Sequence, residues 1–351
     1  MVTMSALVTI LMAARAVGEK GPRPKDLVWI TALIGLACWV HGTWYLWLLP
    51  VAAFFLSGQF RWAVMIGMGW LLGAILAGVG TGHPIAYLTE ALAVAFRSTG
   101  SFTTHTMMAV ELQPILNISP LILLGGMLLA RQTVKAPWRP LRTEPAFWLI
   151  CMGWILGCSA GRFWYDWGIT GMVVMTALDL QTLLEASMPY DSMQRLLAVA
   201  VVTVGTYAST TADIGGRWTG TLHDKYFSQD DPELAGWLPD DGGIWYASTM
   251  SVFYQTYFHN PNAPWKYVLA FEPTLMPADD FATYHSILWG YGDNNAYAPW
   301  VKKMRQEDRL VVVAGGAPSI QGLEWKHAFD GYWLGRLPRP HPNVAEPKSA
   351  K

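Results

Sequence analysis

From Val2 to Thr211 the chain is a succession of apolar blocks separated by connections that are alternately basic and poor in cations. A membrane-crossing helix needs about 20 mainly apolar residues. Stretches of that character lie near 3–17, 27–41, 43–58, 62–80, 116–130, 145–160, 169–187 and 194–211. They predict a helical polytopic membrane protein with about eight transmembrane helices. A charged share of 14% beside a hydrophobic share of 52% fits that expectation, since soluble domains carry nearer a quarter of charged residues. Asp and Glu crowd into the part after Asp213, so the pattern breaks once. The expected division is a transmembrane helical domain at 1–212, a small extracytoplasmic α/β domain at 213–337 and a disordered proline-rich tail at 338–351.

Lys and Arg in short connections prefer the cytoplasm. Lys20, Arg23 and Lys25 follow the first block, Arg61 the third, Arg131, Lys135, Arg139 and Arg142 the fifth, and Arg195 the seventh. This alternation predicts a multi-pass protein of the cell membrane. The 81–115 loop, the stretch "GRFWYDWG" and everything after Thr211 are expected to face outward. It also puts Met1 outside, ahead of a first block of marginal length, and so suggests that crossings of a fuller form precede this chain.

The outward connections carry the candidate chemistry. Residues 27–58 are too long for one crossing and short for two joined by a loop, so "HGT" is expected to form the tip of a tight hairpin. Gly42 would supply the turn, and His41 would either look into a polar recess or satisfy a carbonyl at an aromatic belt. In the 81–115 loop, Ile85, Leu88, Leu92, Ala95 and Phe96 recur at helical spacing and predict an interfacial helix. Its ends hold His83 and Glu111. The turn "GRFWYDWG" places Arg162 and Asp166 among four aromatic residues. A planar guanidinium suits a phosphate, and a mutual Arg162–Asp166 pair is the structural alternative. Asp179, Gln181 and Glu185 interrupt the following block and are expected to point into the bundle.

The region after Asp213 predicts strands at "WKYVLAF" and "RLVVVAG" and helices at "PADDFATYHSILWG" and "YAPWVKKMRQED". Asp230–Asp231, Asp240–Asp241 and Asp279–Asp280 can supply oxygen ligands to a divalent cation or serve as caps and turns; no cofactor is otherwise indicated. Cys38, Cys151 and Cys158 all lie in apolar runs and read as small hydrophobes. A net charge of −1 offers no basic footprint, so no nucleic-acid partner is expected. No P-loop or HExxH pattern is present.

The segment "RPKDLVWITALIGLACWVHGTWYLWLLPVAAF", with Gly35-Leu36, His41-Gly42-Thr43 and Pro50, followed by Gly82-His83-Pro84, resembles the polytopic glycosyltransferases of the GT-C class, which include protein mannosyltransferases using polyprenyl-phosphate sugars. The likeness covers the first half of the chain. It implies inverting transfer of a hexose from a lipid-phosphate donor at the outer membrane face, with a carboxylate as general base and basic residues on the lipid phosphate. The family's base lies in the first outer loop, and no residue here occupies that position. From the chain's own residues, Arg162, His41 and His83 are expected to bind substrate and Asp166 and Glu111 to do acid–base work. The expected partners are a lipid-linked sugar donor, membrane lipids and an acceptor or partner protein; the competing reading is a non-catalytic membrane subunit.

Overall fold

The computed structural model describes residues 2–98, 113–115, 118–188, 192–216, 219–220, 225–270, 273–290 and 293–339. They form two compact units, Met1–Thr211 and Ala212–Lys351.

In the first unit, α1 (Val2–Val17) is followed by α2 (Asp26–His41). Two prolines precede α2, and the Asp26 carboxylate accepts the Arg23 backbone N–H at 2.7 Å, fixing the first turn. The helix stops at Gly42, whose φ of 65° is left-handed and whose N–H returns to the Cys38 carbonyl. A 3-10 turn at Trp44–Trp47 leads into α3 (Leu48–Leu56), then α4 (Phe60–Gly80) and α5 (Pro84–Ser98). The α2 and α4 backbones meet at a glycine pair: a Cβ on Gly73 would stand 2.7 Å from the Gly35 nitrogen. Small residues permit this approach, and van der Waals packing along it holds the helices.

α6 (Ser119–Thr133), α7 (Pro145–Gly157), α8 (Ile169–Ser187) and α9 (Met193–Thr211) complete the unit. A π-helical segment, Phe163–Gly168, runs directly into α8. It presses on α7 so closely that a Cβ on Gly153 would lie 2.6 Å from the Gly168 nitrogen. The core is aliphatic and aromatic, with Leu7, Ile30, Ile34, Phe54, Ile66, Leu149 and the edge-to-face pair Trp47–Trp167 at its centre.

The expectation of about eight crossings does not hold. Among the described residues two helices are long and apolar enough to cross a membrane, Phe60–Gly80 with 21 residues and Phe163–Ser187 with 25. The physical reason is length. At about 1.5 Å per residue, a 16-residue helix such as α1 or α2 reaches only about 24 Å, short of a hydrocarbon layer about 30 Å thick. The block at 43–58 spends its first residues on the 3-10 turn and leaves nine for α3. α9 is long enough, but Gln194, Arg195 and a Ser/Thr-rich end dilute its apolar character.

The second unit holds a five-stranded sheet in the order β2-β1-β3-β5-β4. β1 (Ile244–Ala247), β2 (Lys266–Tyr267) and β3 (Arg309–Val313) are parallel; β5 (Tyr332–Arg336) runs antiparallel to β3 and to β4 (Glu324–His327). Helices α10 (Ser251–Tyr257), α11 (Ala278–Trp289) and α12 (Ala298–Lys303) accompany it. Phe227, Trp245, Val252, Trp265, Val311, Phe329 and Leu334 form its core. Asp308 and Arg309, at the start of the central strand, are both fully buried. The Asp308 carboxylate accepts the backbone N–H groups of Ile244 and Arg305, each at 2.8 Å, which ties β1 to β3. Arg309 donates to the carbonyls of Trp237, Gln306 and Asp308, so main-chain oxygens disperse its charge.

Candidate functional site

Three of the sequence-nominated residues converge. Arg162 is the residue immediately before the π-helical segment, and its Nε donates to Asp166 Oδ2 at 3.3 Å, one helical turn on. Its Nη2 lies 2.6 Å from Nε2 of His41, 121 residues earlier in the chain. Arginine can only donate, so a ring nitrogen of His41 is the acceptor in this contact.

Local chemistry explains why these side chains meet. The Gly42 cap ends α2 at His41, leaving the imidazole exposed. Gly157 and Gly161 are held by the 113–115 segment, through Ile115 N–H to the Gly157 carbonyl at 2.9 Å and Gly161 N–H to the Gln113 carbonyl at 2.7 Å. The stretch Phe163–Gly168, expected as a short outer connection, is helical. Trp164 and Trp167 of this stretch are buried and Tyr165 is exposed, so one aromatic face anchors the segment. π-helical turns are rare and occur mostly at functional sites. Tyr45 also belongs to this neighbourhood: burial pushes its phenol above the ordinary value, while the positive charge of Arg162 pulls it back.

The other nominated residues are placed differently. His83 is exposed just ahead of α5, and its ring makes no hydrogen bond among the described residues; the helix itself is anchored by the Tyr87 hydroxyl, which donates to the Cys38 carbonyl at 2.6 Å. Glu111 lies outside the described residues. Asp179 forms a two-armed ion pair with Arg131, at 2.5 and 2.8 Å, a partner that charge alternation alone did not nominate. Glu185 accepts from Gln181 at 2.8 Å, four residues before it on the same helix face.

The acidic doublets are engaged in the fold of the second unit. Asp231 accepts the Glu233 N–H at the start of a 3-10 turn. Asp280 accepts from the Trp300 indole at 3.1 Å and the Lys303 ammonium at 2.9 Å, and Asp240 stands 3.7 Å from Arg309. No group of three or more His, Cys, Asp or Glu side chains converges in a metal-holding arrangement among the described residues. Cys38 is buried, Cys151 half-buried and Cys158 exposed, and all three are free thiols.

No protein-family model matches this sequence, and no curated protein or solved structure is significantly similar to it.

Proposed function

We propose that the helical unit is embedded in a cell membrane and binds a phosphate-linked lipid through Arg162, as part of a glycosyltransferase that moves a sugar from a polyprenyl-phosphate donor to an acceptor. The observation that carries this reading is the clamp on Arg162: Asp166 at 3.3 Å and His41 at 2.6 Å hold the guanidinium in one orientation beside aromatic side chains. A guanidinium so oriented suits a phosphate, and aromatic faces suit a sugar or an isoprenoid chain.

A membrane setting is supported by the apolar surface of α4, where Val64, Leu71, Ile75, Leu76 and Val79 are all more than half exposed, with values of 54–62%. Contiguous apolar exposure on that scale marks a membrane or partner surface.

In the transfer step Asp166 is the described carboxylate closest to hand; Glu111 precedes the docked Gln113 by two residues in sequence. A general base must reach the acceptor hydroxyl within hydrogen-bond distance. One Asp166 oxygen is already taken by Arg162, which favours a second reading, a non-catalytic membrane subunit that binds the lipid and presents it.

Binding of a polyprenyl-phosphate sugar to the purified full chain in mild detergent tests the proposal. Arg162→Ala is expected to lose at least about tenfold in affinity, or roughly 1.4 kcal/mol. Undiminished binding removes Arg162 from the site. Release of polyprenyl phosphate in the presence of acceptor separates the two readings: turnover that falls in Asp166→Asn supports the enzyme, and binding without turnover supports the subunit.

A further inference from the structure

At the other end of α7 from Arg162, the basic connections enclose a cavity of about 510 Å³. Sites for small molecules commonly have about 300–1,000 Å³. Its floor is apolar, made by Leu11, Ala14, Ala146, Val174 and Leu178, and its rim is polar, with Arg15, Gln59, Arg139 and Glu144. A second, much smaller cavity shares Arg15, Arg139 and Glu144 with it and is lined also by Arg131 and Asp179.

The charges in this region do not cancel. Arg15 pairs with Glu144 at 2.9 Å, and Arg131 pairs with Asp179 while donating a further bond to the Arg139 carbonyl at 3.0 Å. Arg139 lines both cavities, and its guanidinium makes no hydrogen bond or ion pair among the described residues. Three guanidiniums against two carboxylates leave one positive charge at the mouth of an apolar cleft. Such a cleft fits a ligand with an anionic head and an apolar stem, and Arg is the side chain whose planar donor set matches phosphate. Basic pockets between membrane helices on the cytoplasmic side bind anionic head groups by this physics.

We propose that this cavity binds a phosphate ester, with the phosphate between Arg139 and Arg15 and the adjoining apolar part of the ligand over Leu11, Val174 and Leu178. The phosphate can belong to an anionic phospholipid or to a water-soluble ester. The site is independent of Arg162, so it stands or falls separately from the donor-binding reading.

The test uses the full chain in phosphatidylcholine nanodiscs with and without phosphatidylglycerol, read by thermal unfolding and by retention of phosphatidylglycerol in native mass spectrometry. Phosphatidylglycerol is expected to raise Tm and to be retained. Arg139→Gln should weaken retention about tenfold and leave Tm in pure phosphatidylcholine unchanged, because that side chain holds nothing else in place. Arg142→Gln, which lies outside the cavity lining, should behave as the parent and so controls for general surface charge. Competition by inorganic phosphate assigns the site to soluble esters; retention that persists against phosphate assigns it to the lipid. Equal Tm in both nanodiscs with no shift on adding phosphate overturns the proposal, as does equal retention by parent and Arg139→Gln.

Discussion

In the helical unit α2 meets α4 at Gly35 and Gly73, α7 meets the π-helical segment at Gly153 and Gly168, and apolar side chains are left on the outside. In the α/β unit the centre is aromatic, and a fully buried Asp308–Arg309 dipeptide sits at the head of the middle strand. Charge is handled accordingly. The first unit neutralises its inward charges by side-chain pairs between helices, Arg131 with Asp179 and Arg15 with Glu144. The second adds main-chain donors and acceptors to its side-chain pairs: Asp308 accepts two backbone N–H groups beside its ion pair with Arg305, and Arg309 donates to three carbonyls with Asp240 3.7 Å away. Helices satisfy their own backbone and have few main-chain groups to spare, whereas strand ends and loops offer many. An inward charge in a helical bundle therefore needs a partner side chain, and losing that partner strands it.

That contrast is most exposed by Asp179→Leu, which leaves Arg131 uncompensated and should cost the helical unit about 3–5 kcal/mol. The pair Asp179→Leu with Arg131→Met should recover most of the loss in thermal unfolding; no recovery would break the comparison. Next in size is Gly153→Leu. Its Cβ would fall 2.6 Å from the Gly168 nitrogen, a main-chain atom that cannot step aside. We expect a loss of about 3 kcal/mol from the helical unit, with the α/β unit's own transition unmoved. Asp308→Ala should cost the α/β unit about 2 kcal/mol, because it leaves the Ile244 and Arg305 N–H groups without their acceptor. Amide exchange should show faster loss of protection at the start of β1 than in α11.

The smallest expected effect is an alkaline one. Burial, together with the negative charges of Asp308 and Asp280, pushes the Tyr246 phenol from 10.0 up to about 12. The unfolded chain therefore gives up this proton first. The stabilisation is intact below pH 10 and declines as pH rises toward about 12. Tyr246→Phe should flatten that part of the decline in a pH-jump unfolding series; an unchanged slope would assign the alkaline limit to other groups.

Part of this was legible in the sequence. α11 starts after Pro277 with two acidic residues in its first turn and stops at Gly290, all local signals. The strand Arg309–Val313 follows from its β-branched run. β1, β4 and β5 are not legible in this way, because four-residue strands and a strand containing Gly335 carry little propensity of their own. Gly335 is there for a neighbour: a Cβ would meet the Trp325 ring at 2.8 Å. Counting apolar blocks overstated the number of crossings, because composition does not distinguish a 3-10 turn such as Trp44–Trp47 from the helix that follows it. At the site, Arg162 and Asp166 lie close enough in sequence to be read as a unit. His41 could be suspected from its place at a break in an apolar run, but its meeting with Arg162 is a tertiary fact. So is the Arg131–Asp179 pair, whose members stand 48 residues apart.

The widened turn at Phe163–Gly168 sets the phase between Arg162 and the rest of its helix. Relaxing that turn to ordinary α geometry with every residue kept would rotate the chain ahead of it by about one residue's step, about 100°, relative to α8. Arg162 would then swing off His41 while the buried residues of α8, Met172, Val174 and Met175 among them, kept their seats. One extra residue thus works as an angular spacer, and the aim of the guanidinium is decoupled from the packing that anchors the helix.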